Sequence, residues 1–302
     1  PDTYSWNMDR VIALNSMFES ATAATPETTH WTLKNATNLD SMFKDATSAN
    51  PDTTHWNIAK TEQIASIFEN AQSANPNVRF WNTEQVQDFS SAFKNATRAT
   101  PDVSNWNTSS AIDFSRMFEG ATSANPTVDL WDTQNATDFE SMFEGASIAQ
   151  PNTGAWDVSN VENFHAMFKN AISANPDVRN WDISSTNNTD EMFYGATQAN
   201  PVMDSWPVAN LVSMSEMFVG VTLETHTYSD FLVHLEANNQ QSNVSLHAGG
   251  SRYNNDGEQA RTKLIAEHGW QIIDGGIAES VCGDGYIDQT TGEMCDDGNQ
   301  IT

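Results

Sequence analysis

The sequence predicts an α/β repeat solenoid, and three observations lead to this fold class. Proline, tryptophan and phenylalanine recur every 25 residues from Pro1, Trp6 and Phe18, with no insertion or deletion through nine units. A unit of this size cannot bury a hydrophobic face by itself, so neighbouring units must stack and share one core. Other apolar residues recur in fixed columns, as expected for side chains that point into that core. The repeats are predicted to cover residues 1–221.

The seventh unit illustrates the elements predicted in every coil. A short parallel β-strand is predicted at residues 161–164, with Phe164 pointing inward and its polar neighbours outward. A short helical turn is predicted at residues 166–171, where small and long-chain residues favour helix. The Asn175–Pro176 step then ends the helix, because the residue before proline is pushed out of the α region. The predicted inward columns are Leu14, Leu39, Ile64, Phe89, Phe114, Phe139 and Phe164, and Met17, Met42, Ile67, Met117, Met142 and Met167.

Residues 222–280 carry no repeat and are predicted to form a C-terminal α/β cap. Their pattern predicts a helix at 228–237, a strand at 244–247, a helix at 258–268 and a strand at 270–273. A repeat array needs an atypical terminal unit to cover its open edge. No such segment precedes Pro1, and we therefore expect the protein to continue upstream.

The charge of the chain restricts its partners. Forty acidic residues against 13 lysines and arginines give a formal net charge of −27. This balance disfavours nucleic acid and anionic membranes, because each phosphate contact needs a cation. It favours cations or basic partners. No apolar run approaches the roughly 20 residues needed to span a bilayer.

The unit sequence resembles that of the BspA-like bacterial surface proteins. The resemblance is carried by residues 156–161 (WDVSNV) and 167–171 (MFKNA), a pattern that recurs in all nine units. It implies leucine-rich-repeat-like units of about this length on a bacterial surface. The chain departs from the family in its Ala-Asn-Pro turn, where many relatives look more like Phe-Asn. Residues 269–276 resemble the C-terminal cap of marine bacterial relatives.

Residues 281–302 contain both cysteines of the chain within an acidic segment. Cys282 and Cys295 are close enough in sequence for one local disulfide in an oxidising compartment. Clustered carboxylates beside glycines are the oxygen ligands that Ca²⁺ prefers. The candidate calcium ligands are Asp284, Asp288, Glu293, Asp296 and Asp297. The alternative is a disulfide-pinned acidic loop that stays solvated, since the spacing is not that of an EF-hand. The segment resembles the start of a cysteine-rich repeat of large myxobacterial and marine extracellular proteins.

Two outward columns of polar residues are candidate partner-binding sites. Like charges that face each other across a ladder destabilise it, so a run of aspartates suggests compensation by a cation or by a basic or hydroxylated partner. The alternative is screening by water and salt. The first column holds Asp88, Asp113, Asp138 and Asn163, and the second holds Asp40, Glu140, His165 and Asp190.

The sequence favours an interaction module over an enzyme. We find no nucleophile elbow, no Cys/His pairing, no zinc set and no phosphate-binding glycine loop. The leading hypothesis is an extracellular, adhesin-type solenoid that binds a protein or a glycan. The alternative is a structural block of an extracellular filament, sheath or surface layer, built from further copies of the chain. Ice binding is disfavoured, because the column of Thr28 and Thr53 continues as valine.

Overall fold

The computed structural model describes residues 3–239 and 241–278, and in it each 25-residue unit lies directly on the next. We number the positions of a unit from its proline. In the first eight units the backbone N–H groups at positions 14, 16, 18 and 20 donate to carbonyls of the following unit, with Phe164 as the exception. Between them, the N–H groups of positions 17 and 19 donate to carbonyls three residues earlier in their own unit, as Met117 does to Phe114 at 3.2 Å. In the fifth unit the inter-unit pairs are Phe114 to Asp138 (3.1 Å), Arg116 to Glu140 (2.7 Å), Phe118 to Met142 (2.9 Å) and Gly120 to Glu144 (2.7 Å).

The local backbone of the units differs from the predicted strand and helical turn, and both of those predictions are wrong in the seventh unit. At residues 161–164 the structure has a single parallel bridge, between Asn163 and Asp138. Residues 166–171 form turns in which Ala166 (φ 54°) and Asn170 (φ 56°) are left-handed. Left-handed residues four apart interrupt both an extended strand and a right-handed helix.

The left-handed residues recur at positions 16 and 20 of the units. Position 20 holds Gly, Asn, Asp or Ser, and the first three are the residues that adopt this conformation most readily. Position 16 is mostly Ser, which meets a larger steric penalty there. In the first eight units the N–H of these residues donates to the next unit, as Ser91 does to Ser115 at 2.8 Å, and the stacking offsets that penalty.

Aromatic columns run along the core beside these hydrogen bonds. The column from Trp6 to Trp156 has successive ring centroids 5.9–6.5 Å apart, and the column from Phe18 to Phe218 has them 5.3–5.8 Å apart. Almost all of these rings are buried, and burial of each contributes about 1.5–3 kcal/mol. Equivalent residues therefore stack on one another through the whole array.

The segment after the repeats has the helix–strand–helix–strand order that the sequence predicts, which is confirmed. Its elements are α1 (Thr225–Asn238), β1 (Ser245–His247), α2 (Asn255–His268) and β2 (Gln271–Ile273), with β1 and β2 parallel. The carbonyls of Ser245 and His247 accept hydrogen bonds from Met214 (3.1 Å) and Phe218 (2.9 Å) of the ninth unit. Strand β1 thus takes the place of a further unit.

A buried charge network holds α1, α2 and the end of β2 together. Asp274 is nearly buried and accepts hydrogen bonds from the Tyr228 hydroxyl (2.9 Å) and from Nε of Arg261 (2.7 Å). The guanidinium of Arg261 also lies 5.4 Å from the ring of Tyr253. Burial, followed by the charge of Asp274, raises the pKa of Tyr228 well above its ordinary value, so its hydroxyl stays a donor.

Two glycines at position 20 provide a matched test of the stacking. Alanine at either Gly120 (φ 66°) or Gly145 (φ 68°) meets the left-handed penalty, on the order of 1–2 kcal/mol. At Gly120 the new Cβ would also collide with Oδ1 of Asn95, whose amide donates to Asn70 at 2.9 Å. At Gly145 the nearest atoms lie 3.7 Å away.

We expect urea unfolding to show Gly120→Ala as less stable than Gly145→Ala by about 1 kcal/mol, the value of a lost hydrogen bond. Equal losses would contradict this packing.

Candidate functional site

The first predicted column is continuous in the structure. Parallel bridges join Asp88 to Asp113, Asp113 to Asp138 and Asp138 to Asn163. Each aspartate accepts a hydrogen bond at Oδ1 from the backbone N–H two residues later, at 2.9, 2.8 and 2.7 Å respectively. The chain therefore supplies part of the compensation that these carboxylates need.

The electrostatics at Asp138 show that this compensation is incomplete. Burial raises the pKa of Asp138, and the neighbouring charge of Asp113 raises it further, against the hydrogen bond from the N–H of Glu140. Arg116 lies beside the column, paired with Glu140 and 3.9 Å from Glu119. Its charge balances the carboxylates of Glu140 and Glu119 more directly than those of position 13.

The second predicted column does not bring its acidic residues together. Asp40, Glu140 and Asp190 belong to the second, sixth and eighth units, so they are not neighbours. Oδ1 of Asp40 accepts from the N–H of Ala65 (2.9 Å), and burial raises the pKa of Asp40. Oδ1 of Asp190 accepts from the N–H of Ser215 (2.6 Å). Both carboxylates thus join one unit to the next.

The metal and disulfide predictions concern the end of the chain. The candidate calcium ligands Asp284, Asp288, Glu293, Asp296 and Asp297, and the cysteines Cys282 and Cys295, lie outside the described residues. Within residues 3–239 and 241–278, no three His, Cys, Asp or Glu side chains are grouped so that they could hold a metal ion.

A different surface, formed by positions 21–25, is nearly free of charge. Across these positions of the nine units only Arg98 and Glu224 are charged, although the whole chain has 40 acidic and 13 basic residues. The alanines at positions 21 and 24 mostly point into the core, so positions 22, 23 and 25 form the surface, which we call the neutral strip. Its hydroxyl and amide residues include Thr22, Thr47, Thr97, Thr122, Thr197 and Thr222, Ser48, Ser73, Ser123 and Ser173, and Asn50, Asn75, Asn125, Asn175 and Asn200.

Hydrogen bonds between units hold the neutral strip in register. The N–H of Ser48 donates to the carbonyl of Thr22 at 3.2 Å. Oδ1 of Asn50 accepts from the N–H of Asn75 at 2.8 Å, and Oδ1 of Asn75 accepts from the N–H of Thr100 at 2.9 Å. The strip therefore presents columns of hydroxyl and amide groups at the spacing of hydrogen-bonded chains, about 4.8 Å.

The sequence analysis considered a different threonine column. Thr28 and Thr53 are buried, and their hydroxyls donate to the carbonyls of Asp52 and Asn77, both at 2.7 Å. A column of exposed or half-exposed threonines instead lies at position 22. The signal in the sequence that could have found them is the near absence of charge from positions 21–25.

Comparison with known proteins identifies the repeats. The family model described as "Mycoplasma protein of unknown function, DUF285" matches residues 2–79, 52–153 and 123–231. Three overlapping matches to one family support a repeat protein. No curated protein and no solved structure matches the chain. In the described part of the chain, neither helix has the length and apolar character required to cross a membrane.

The raised pKa of Asp138 makes stability depend on pH. The pKa of Asp138 in the folded state lies above its ordinary value of 3.8, so the folded state holds the proton more tightly than the unfolded state does. The stability that this proton contributes is fully present below pH 3.8 and is lost as pH rises through the folded pKa. We therefore expect Asp138→Asn, which keeps the Oδ1 acceptor, to raise Tm at pH 7 by roughly 1–2 °C. The gain should disappear near pH 3.

Asp157→Asn is the matched control for the removal of one negative charge. Hydrogen bonds from the hydroxyl and the N–H of Ser159 lower the pKa of Asp157, so its charge stabilises the fold above pH 3.8 and the benefit is lost as pH falls. Thermal unfolding at pH 7 should show opposite signs for the two variants. The same sign would contradict a raised pKa at Asp138 and a lowered pKa at Asp157.

Proposed function

We propose that this chain, which belongs to the family described as "Mycoplasma protein of unknown function, DUF285", is an extracellular, adhesin-type module that binds an uncharged glycan. The observation that carries the proposal is the neutral strip on an otherwise strongly acidic protein. The resemblance of the units to BspA-like surface proteins supports a place outside the cell. We expect no enzymatic activity from the described residues.

The chemistry of the strip suits a neutral, hydroxyl-rich polymer. Thr and Ser hydroxyls and Asn amides both donate and accept hydrogen bonds, as sugar hydroxyls do. An anionic polymer would be repelled by a chain of net charge −27, whereas an uncharged one meets no such barrier. A basic partner would have few carboxylates to pair with on this surface.

The stacked backbone also suits repeated weak contacts. In several units the backbone of the strip is hydrogen-bonded to a neighbouring unit, as Ser73 is to Thr47 and Ser173 is to Ser147, so little backbone entropy remains to be lost on binding there. A polymer lying along the strip could engage several units at once, and linked weak contacts add to a useful affinity.

The structural alternative, a filament, sheath or surface layer made of copies of this chain, has a specific obstacle. Head-to-tail stacking would join the ninth unit of one copy to the first unit of another. The N–H groups of Met214 and Phe218 already donate to β1, so the cap occupies that end. The alternative would need lateral contacts between copies.

Pull-down on insoluble cellulose, chitin and agarose, with anionic alginate gel as a comparison, tests the proposal. We expect binding to at least one neutral polymer that changes little between low and high salt, because no ion pairs form. Thr122→Glu combined with Thr197→Glu should weaken this binding by about tenfold or more, because two hydroxyls of the strip are replaced by charged groups that the polymer cannot pair with.

The control is Asn105→Glu combined with Asn180→Glu, which adds the same charge at exposed positions away from the strip. The control should bind as the original chain does. Binding to none of the neutral polymers, or equal loss in both double variants, would overturn the proposed use of the strip.

A further inference from the structure

Two exposed isoleucines lie next to each other on the neutral strip. Ile148, at position 23 of the sixth unit, is 48% exposed, and Ile172, at position 22 of the seventh unit, is 50% exposed. The N–H of Ser173 donates to the carbonyl of Ser147 at 3.1 Å, so the peptide groups that adjoin the two isoleucines lie against one another. The other large hydrophobic side chains exposed in the second to ninth units lie at positions 5 and 12, in units that are not neighbours: Phe80, Leu130, Ile112 and Val212.

The backbone beside this apolar pair has an open donor. Elsewhere on the strip, Oδ1 of an asparagine at position 25 accepts the N–H of position 25 in the next unit, as Asn125 accepts from Gln150 at 2.8 Å and Asn175 accepts from Asn200 at 2.9 Å. Position 25 of the sixth unit is Gln150, and the N–H of Asn175 donates to no described residue. The side-chain amide of Gln150 also forms no hydrogen bond with a described residue.

This combination distinguishes units 6 and 7 from the rest of the strip. The N–H groups of Asn50 and Asn125 have no described partner either, since the residues at position 25 of the preceding units are Thr25 and Thr100. No exposed isoleucine lies beside them. Among the described units, an open N–H, a free side-chain amide and an exposed apolar pair therefore come together at one place.

A ligand that fits this place carries a methyl group, a carbonyl oxygen and an N–H within a few atoms of one another. The acetamido substituent of an N-acetylated sugar has these three parts. Its amide has the same chemistry as the end of an asparagine side chain, which is the group that accepts the N–H of position 25 at other units. A wholly apolar partner would leave the N–H of Asn175 buried without an acceptor, which is unfavourable.

We infer that Ile148, Ile172, Gln150 and Asn175 form an acetamido subsite, so that the preferred ligand of the strip is an uncharged, N-acetylated glycan. The methyl group packs on the two isoleucines, the carbonyl oxygen accepts from the N–H of Asn175, and the acetamido N–H donates to Oε1 of Gln150. This inference rests on the proposed binding of a neutral glycan to the strip, and it specifies which glycan is bound.

Two hexasaccharides, one of chitin and one of cellulose, test the inference. They share their linkage and ring stereochemistry, and they differ in having an acetamido group or a hydroxyl at one carbon of each sugar. NMR titration of the methyl-labelled chain should give a Kd for the chitin hexasaccharide that is about tenfold lower or more, the combined effect of one buried methyl group and one hydrogen bond. The methyl signals of Ile148 and Ile172 should shift on binding, and that of Ile112 should not.

Gln150→Asn closes the open donor from within the chain. The new side-chain carbonyl should accept the N–H of Asn175, as asparagine does at other units, and hydrogen exchange of that amide should slow by about tenfold or more. Affinity for the chitin hexasaccharide should fall by about fivefold, because the acetamido carbonyl loses its donor. Affinity for the cellulose hexasaccharide should not change.

Ile148→Thr combined with Ile172→Thr removes the apolar pair and keeps a neutral surface. The preference for the chitin hexasaccharide should fall to about threefold or less. The matched control is Ile112→Thr combined with Val212→Thr, at exposed positions outside the strip, which should keep the full preference.

Equal affinity of the original chain for the two hexasaccharides would overturn the acetamido subsite and leave the proposed binding of neutral glycans standing. A preference that the Gln150 and isoleucine variants both keep would also overturn the subsite, as would equal loss in the isoleucine variant and its control. Binding of neither hexasaccharide would overturn it as well, and the pull-down on neutral polymers would then decide the proposed function separately.

Discussion

The structure depends on one constraint, which is that the N–H groups of positions 14, 16, 18 and 20 must meet carbonyls of the following unit. A unit that gained or lost a residue would move these donors out of register, and this explains the fixed length of 25 residues. The backbone that meets this constraint has left-handed residues at positions 16 and 20, whose N–H groups are two of the four donors. Glycine, asparagine and aspartate at position 20 satisfy that requirement at the smallest steric penalty.

Exact register also places each residue on its equivalents in the neighbouring units. Whether this stacking stabilises the fold depends on the chemistry of the side chain. Tryptophan and phenylalanine gain from this arrangement, since their rings stack and exclude water. Stacked aspartates repel one another, and Asp88, Asp113 and Asp138 are stabilised by hydrogen bonds from backbone N–H groups. Hydroxyl and amide residues stack without this penalty. The neutral strip can therefore continue from unit to unit without charge repulsion, and we propose that it carries the binding function.

The sequence was sufficient to predict the features that depend on periodicity. The 25-residue repeat, the inward columns of Phe114 and Met117 and the order of elements in the cap all follow from patterns that can be counted. The local backbone was mispredicted, because serine and alanine at position 16 show no preference for the left-handed conformation that stacking imposes on them. The neutral strip was missed since its signal is an absence of charge and not a motif. The calcium and disulfide predictions stay predictions, as does the resemblance to BspA-like proteins.

Two single-glycine insertions in the fifth unit test most directly whether the inter-unit hydrogen bonds hold the fold. One glycine is inserted between Ser115 and Arg116, within the stacked segment, and the other between Ser104 and Asn105, in the exposed turn. Thermal unfolding should show that the first lowers Tm by about 10 °C or more, because it displaces the donors at positions 16, 18 and 20. The second should lower it by only a few degrees, since loops tolerate insertion. Equal losses would mean that the alternate hydrogen bonds are not what fixes the length of the unit.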